Sequence, residues 1–212
     1  MPYLFSRATR LAPGNLLDSM SWAAKITEKV NAAGGPQFKL WSRVFSPELG
    51  TISWSTVVAQ IGELSALEEK LMADGSYLEL LEEGQRFGDG SGANDGLGQL
   101  LHADLDGVET AQYSSVTISQ LAPGMTADGV ALGVEIAQRV KAITGQPASF
   151  GASPTGPYGQ VVWIVLADSI DQMQAGNEAI GADADWVKLM DDRASKAYVA
   201  GASHRFMMRR LA

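Results

Sequence analysis

Leu11-Ala12-Pro13-Gly14 returns as Leu121-Ala122-Pro123-Gly124, a displacement of 121 − 11 = 110 positions. Other features return at nearly the same displacement. Tyr3 maps onto Tyr113 at 110, while Gly50 maps onto Gly159, Trp54 onto Trp163 and Tyr77 onto Trp186 at 109. A drift of one position is what a duplicated unit with small loop changes leaves behind. The chain of 212 residues is expected to hold two copies of one unit, each of about 100 residues, an ordinary domain size. The expected units are residues 1–104 and 113–212, with 105–112 as the linker.

Outward from the repeated tetrapeptide, each copy has the same order of elements. Tyr3–Leu11 alternates like a strand and Pro13-Gly14 breaks it. Asn15 is placed to cap a helix from Leu16 to Ala33, which Gly34-Gly35-Pro36 stops. Strands over Phe38–Phe45 and Thr51–Ala59 form a hairpin around Pro47-Glu48-Leu49-Gly50. Helices follow over Glu63–Met72 and from Gly75 to about Glu83, then a strand over Leu97–Ala103. The glycine-rich stretch Gly88–Gly98 is expected to be a flexible loop before that strand. Copy two gives strands over Tyr113–Leu121, Ala148–Ser153, Gly159–Ala167 and His204–Leu211, and helices over Thr126–Thr144, Ser169–Ile180 and Ala184–Ala194. Each copy is β-α-β-β-α-β with its second helix in two pieces, the ferredoxin-like arrangement. The fold class is therefore α+β, with antiparallel sheets covered by helices on one face. Phe38 and Leu40 on one side of their strand, and Trp41 and Phe45 on the other, give the sheet a second apolar face to cover.

Composition narrows the partners. Hydrophobic residues make up 46% and charged residues 19%, which excludes a disordered polyelectrolyte. A net charge of −8 with no Lys/Arg cluster beyond Arg209-Arg210 argues against nucleic acid. There is no cysteine, hence no disulfide, thiolate metal site or thiol nucleophile. The opening MPYLFSRATR lacks a signal-peptide core, and no run approaches 18 apolar residues. The expectation is a cytoplasmic protein with no membrane or nucleic-acid partner.

Few residues point to chemistry. His102 and His204 do not align between the copies, and no HExxH or carboxylate–histidine cluster accompanies them. No metal and no cofactor are expected. A single strand histidine is usually packed or surface-exposed; its sharper roles are general base or axial haem ligand. No G-x-S-x-G elbow supports a serine hydrolase. Copy one carries Arg7, Lys39, Trp41 and Arg43 where the alignment puts Thr117, Ala148, Phe150 and Ala152 in copy two. An arginine in a pocket can hold an oxygen anion bidentately. The candidate ligand-binding residues are Arg7, Trp41, Arg43 and His102, and no catalytic residue can be singled out. Trp54 and Trp163 are expected as equivalent core or interface anchors.

The tandem units resemble the dimeric α/β barrel superfamily. The segment Leu64–Tyr77 resembles its NIPSNAP-like branch, in which a strand with a tryptophan leads to a helix that breaks just before an aromatic residue. Trp54 and Tyr77, then Trp163 and Trp186, fit that pattern. The resemblance implies a barrel-type fold and a small apolar ligand between sheet and helices, bound or transformed without metal or nucleotide. It also allows a non-catalytic structural or interaction protein, or a haem protein using His102 or His204. It further implies a two-fold homodimer joined through the sheets, for which Trp41, Phe45 and Phe150 are the large groups.

Overall fold

Both Pro-Gly pairs end a strand. In the computed structural model, which describes residues 1–212, β1 (Tyr3–Leu11) stops before Pro13-Gly14 and α1 (Leu16–Ala32) begins two residues later. Asn15 does not cap α1 with its side chain. It takes a left-handed φ of 48°, and its carbonyl accepts from Ser19 N instead. The chain continues through β2 (Lys39–Val44), β3 (Thr51–Val58), α2 (Gly62–Met72), α3 (Gly75–Gln85) and β4 (Gly88–His102). The second series runs β5 (Tyr113–Gln120), α4 (Thr126–Thr144), β6 (Ala148–Ala152), β7 (Gln160–Ala167), α5 (Ile170–Ala182), α6 (Ala184–Leu189), α7 (Ser195–Ala197) and β8 (His204–Arg210). A π-helical turn, Met190–Ala194, joins α6 to α7 where the sequence suggests one plain helix. The class is α+β with antiparallel pairing.

Two units result. Pro2–Leu97 with Arg210–Ala212 makes the first, and Gly98–Arg209 makes the bulk of the second. Neighbouring strands run β4–β1–β3–β2 in the first and β8–β5–β7–β6–β4 in the second. The C-terminal residues return to the first unit, where Leu40 N donates to Ala212 O at 2.7 Å and Leu211 N donates to Leu40 O at 2.8 Å.

The glycine-rich stretch is strand, contrary to the loop expectation. Glycine weakens a strand by propensity, but here tertiary pairing decides. A Cβ at Gly96 would lie 2.8 Å from Ser6 Oγ, so glycine lets the two strands approach without moving that side chain. Asp89 meets Arg10 at 3.7 Å and Asp95 meets Arg7 at 2.7 Å, tying β4 to β1 by side chains.

Register fixes which residues share a face, because directly paired residues project to the same side. Leu40 and Arg7 both pair with Trp54, and Leu40 and Trp54 belong to the core beneath α1 with Trp22 and Ile26. Phe150 pairs with Trp163 in the equivalent core beneath α4. Phe150 therefore corresponds to Leu40, at a displacement of 110, and Trp41 corresponds to Gly151. This corrects the sequence alignment of Trp41 with Phe150, since a slip of one residue exchanges the two faces of a strand. Trp54 Nε1 donates to Thr27 Oγ1 of α1 at 2.8 Å, and Trp163 Nε1 donates to Gly133 O of α4 at 2.9 Å. Both tryptophans are core anchors.

A second correspondence joins the two units. Asp74 caps α3, accepting from the Ser76 and Tyr77 amides, and pairs with Lys29 of α1 at 2.6 Å. Asp183 caps α6, accepting from Trp186 N, and pairs with Arg139 of α4 at 3.2 Å. The displacements are 109 for the aspartates and 110 for the cations. In each unit the break in the second helix is thus pinned to the first helix by a capping carboxylate.

Trp41 and Phe150 are buried, at 3% and 0% exposure, so neither can supply an intermolecular contact; Phe45, at 82%, can.

Candidate functional site

The four sequence candidates do not come together. Arg7 leaves β1 on the helix-covered face, beside Trp54. Trp41 pairs with Ser53, so it and Arg43 project from the opposite face. The Trp41 indole donates to Ser55 Oγ at 2.9 Å, and Arg43 is ion-paired with Glu48. His102 lies in the second unit, opposite Phe150 and next to an irregularity in the β4–β6 pairing.

Arg7 is the candidate with a chemical neighbourhood. Its Nε and one terminal nitrogen donate to the two oxygens of Asp95, each at 2.7 Å, in a fork. The hydrogen bonds donated to Asp95 outweigh the cost of burial and raise the guanidinium above its usual pKa. Tyr77 of α3 lies close enough for its phenol to feel Arg7. Burial pushes that phenol up, Arg7 pulls it down, and Glu68 of α2 pushes it up again. Tyr77 is 7% exposed, and no group of the chain hydrogen-bonds its hydroxyl. The Tyr198 hydroxyl, by contrast, donates to Gly129 O at 2.7 Å. Phe5, two residues from Arg7 on the same face, carries the Arg7 guanidinium 5.8 Å from its ring centre and meets Phe38 edge-on at 6.0 Å. Thr56 pairs with Phe5 and is buried. The arrangement sets one cation, one phenol and two aromatic walls on the helix side of the sheet. Sequence reasoning missed Asp95, because it sat in a supposed loop. It also missed the part of Tyr77, whose alignment with Trp186 suggested only packing.

The second unit treats the same level differently. Thr117 stands where Arg7 does, opposite Trp163, and pairs on its other side with Arg205. Arg205 donates to Ser115 Oγ at 3.0 Å and to Asn177 Oδ1 of α5 at 2.8 Å. Phe150 meets Trp163 at a tilt and Tyr198 meets Trp163 edge-on, each pair with centroids 5.1 Å apart, and the three rings fill the space under α4. A Cβ at Gly133 would meet the Phe150 ring at 2.2 Å. Haem does not fit here: the space is packed, and His204 is exposed on β8. No group of three or more His, Cys, Asp or Glu side chains could hold a metal ion. A cleft of about 230 Å³ beside the Lys29–Asp74 pair, lined by both with Lys70 and Leu71, is smaller than ordinary ligand pockets. No helix is long and apolar enough to cross a membrane.

No family model and no curated protein matches this sequence. Solved structures do match by fold. A candidate monooxygenase from Fusobacterium nucleatum has a TM-score of 0.72 at 9% identity, over 100% of this chain and 93% of that one. An anthrone oxidase-like protein has 0.69 at 14% identity, over 100% and 91%. A chlorite dismutase of Candidatus Nitrospira defluvii has 0.56 at 11% identity, over 97% and 90%. The β-α-β-β-α-β order and these likenesses together give the chain an α+β fold of the α/β barrel type.

Proposed function

We propose that this chain binds and transforms a small, mostly apolar molecule at the Arg7–Tyr77 level, between the sheet and the helices of the first unit. The reading rests on one observation. Arg7 uses Nε and one terminal nitrogen on Asp95, which leaves its other terminal nitrogen without a partner in the chain, and the Tyr77 phenol, which feels the Arg7 charge, has no partner in the chain either. Two such donors suit the oxygen of an aromatic ketone, phenol or enol, and they stabilise negative charge that grows on it. Phe5 and Phe38 supply apolar walls. The reading needs no metal or nucleotide. The likeness in fold to an anthrone oxidase-like protein supports an aromatic ketone as the ligand.

Anthrone is the probe. Tryptophan fluorescence should show saturable binding to the intact chain. Arg7→Ala should weaken it about 10- to 100-fold, the value of one hydrogen bond to a charged group. Absence of binding to the native chain, or equal binding to the variant, would contradict the proposal.

A second reading, a NIPSNAP-like interaction protein without catalysis, draws support from the exposed apolar turns of the first unit. Under it Arg7–Asp95 is only a tie between strands, and anthrone would not bind.

A further inference from the structure

The second unit holds a guanidinium that no carboxylate meets. Arg205 of β8 donates from Nε to Ser115 Oγ at 3.0 Å and from one terminal nitrogen to Asn177 Oδ1 of α5 at 2.8 Å. Both acceptors are neutral, and the other terminal nitrogen has no partner in the chain. Burial pulls the guanidinium below its usual pKa, and no neighbouring acid offsets it. The polar groups around Arg205 also keep unused donors. Ser115 is 3% exposed, and its hydroxyl proton finds no acceptor in the chain. The Asn177 amide nitrogen and the hydroxyl of Thr117, the residue opposite Arg205, are likewise unused. The first unit meets its own cation with acid. Asn177 stands where that unit has Glu68, at a displacement of 177 − 68 = 109. Asp95 and Glu68 both raise the Arg7 guanidinium. A carboxylate at 177 would neutralise Arg205, whereas the amide accepts its hydrogen bond and leaves its charge.

We propose that Arg205, Ser115 and Asn177 form an anion site of the second unit, between β5, β8 and α5, which takes the carboxylate of a small organic acid. A cation drawn partly out of water is unfavourable until hydrogen bonds and an opposite charge compensate it. Here the protein supplies the hydrogen bonds and the ligand supplies the charge. One guanidinium balances one negative charge, and the N–H groups left on its terminal nitrogens suit the two oxygens of a planar carboxylate. The Ser115 hydroxyl adds a donor from the floor of the site. Ser115 pairs with Val165 on one side and Met207 on the other, so both project to the face that carries Arg205. Both are partly exposed. They offer an apolar strip to the body of an organic acid, which an inorganic anion would leave unused. The site lies wholly within the second unit and shares no residue with the Arg7–Tyr77 level.

Benzoate titrated into the full chain at neutral pH, followed by backbone and arginine side-chain NMR shifts, tests this. Benzamide, its neutral analogue, is the control. Benzoate should bind saturably and benzamide should not, with shifts centred on Ser115, Asn177 and Arg205. Arg205→Gln should weaken benzoate at least about tenfold, the scale of a hydrogen bond to a charged group. Asn177→Asp sets a carboxylate on Arg205 from within the chain, so it should weaken benzoate as much. That variant should also melt no lower than the native chain, which separates a lost site from a lost fold. Four results would overturn the proposal. Benzoate could fail to bind; benzamide could bind equally well; Asn177→Asp could leave benzoate affinity unchanged; or inorganic phosphate could bind more tightly than benzoate.

Discussion

The two units place the same anchor in different company. Trp54 and Trp163 each donate to the first helix of their unit, and each is paired across the sheet by the residue 110 positions apart, Leu40 or Phe150. Beneath them the first unit uses Ala23 with Leu40, and the second uses Gly133 with Phe150. The ring gained on the strand matches the methyl lost on the helix. One step along the sheet the exchange changes chemistry rather than volume. Arg7 with Asp95 and Tyr77 in the first unit becomes Thr117 in the second, where Arg205 turns to Ser115 and Asn177. One scaffold thus tolerates a packed interior in one unit and a charged, partly open one in the other.

The largest effects should come from breaking the size exchange. Phe150→Ala should cost about 3–5 kcal/mol in chemical denaturation, the usual loss for a buried phenylalanine. Gly133→Ala should cost about 1–3 kcal/mol by overpacking. Combining Gly133→Ala with Phe150→Leu imitates the first unit and should recover most of that loss. If the double variant is no better than the sum of the single ones, the two pairs are not equivalent.

Arg7→Ala sharpens the chemical difference. Its ion pair is substantially exposed, with side chains 42% and 47% accessible, so its loss should cost under about 1 kcal/mol. Anthrone affinity should nevertheless fall. Thr117→Ala in the second unit should leave that affinity unchanged in the same fluorescence titration.

The capping aspartates give a smaller, pH-dependent contrast. Lys29 first, then Ser76 and the Tyr77 amide, lower the Asp74 carboxyl from 3.8 to about 2. A carboxyl that is more acidic when folded favours the native state above its unfolded pKa, and the advantage fades as pH falls from 3.8 towards 2. Asp74→Asn should flatten that acid limb of the melting-temperature profile. At Asp183 the Trp186 amide is the leading cause, ahead of Arg139. Added salt should therefore weaken the Asp74 contribution more than the Asp183 one. Equal salt sensitivity would show that the two joints work alike.

Much of the fold was legible because strong local signals repeat. Pro-Gly breaks, a tryptophan in the third strand and a split second helix mark both copies. What stayed hidden depends on register and tertiary contact. The one-residue drift falls in the β2–β3 turn, where Leu40 and Trp54 are 14 apart but Phe150 and Trp163 are 13; an offset of 109 applied to β2 as well matches Trp41 to Phe150 on the wrong face. The glycines of β4 suggest a loop by propensity, and only the presence of Ser6, Arg7 and Arg10 alongside makes them a strand. Arg7 was picked out from its charge. Asp95 and Tyr77, distant in sequence and partnered only in the fold, could not be.

Hydrogen–deuterium exchange on the intact chain with and without anthrone tests the central claim most directly. The account predicts slower exchange confined to the first unit, in β1 around Phe5–Arg7, in β4 around Asp95 and in α3 around Tyr77, and its disappearance in Arg7→Ala. Protection in β5, α5 or β8 of the second unit, or none in either, would contradict it.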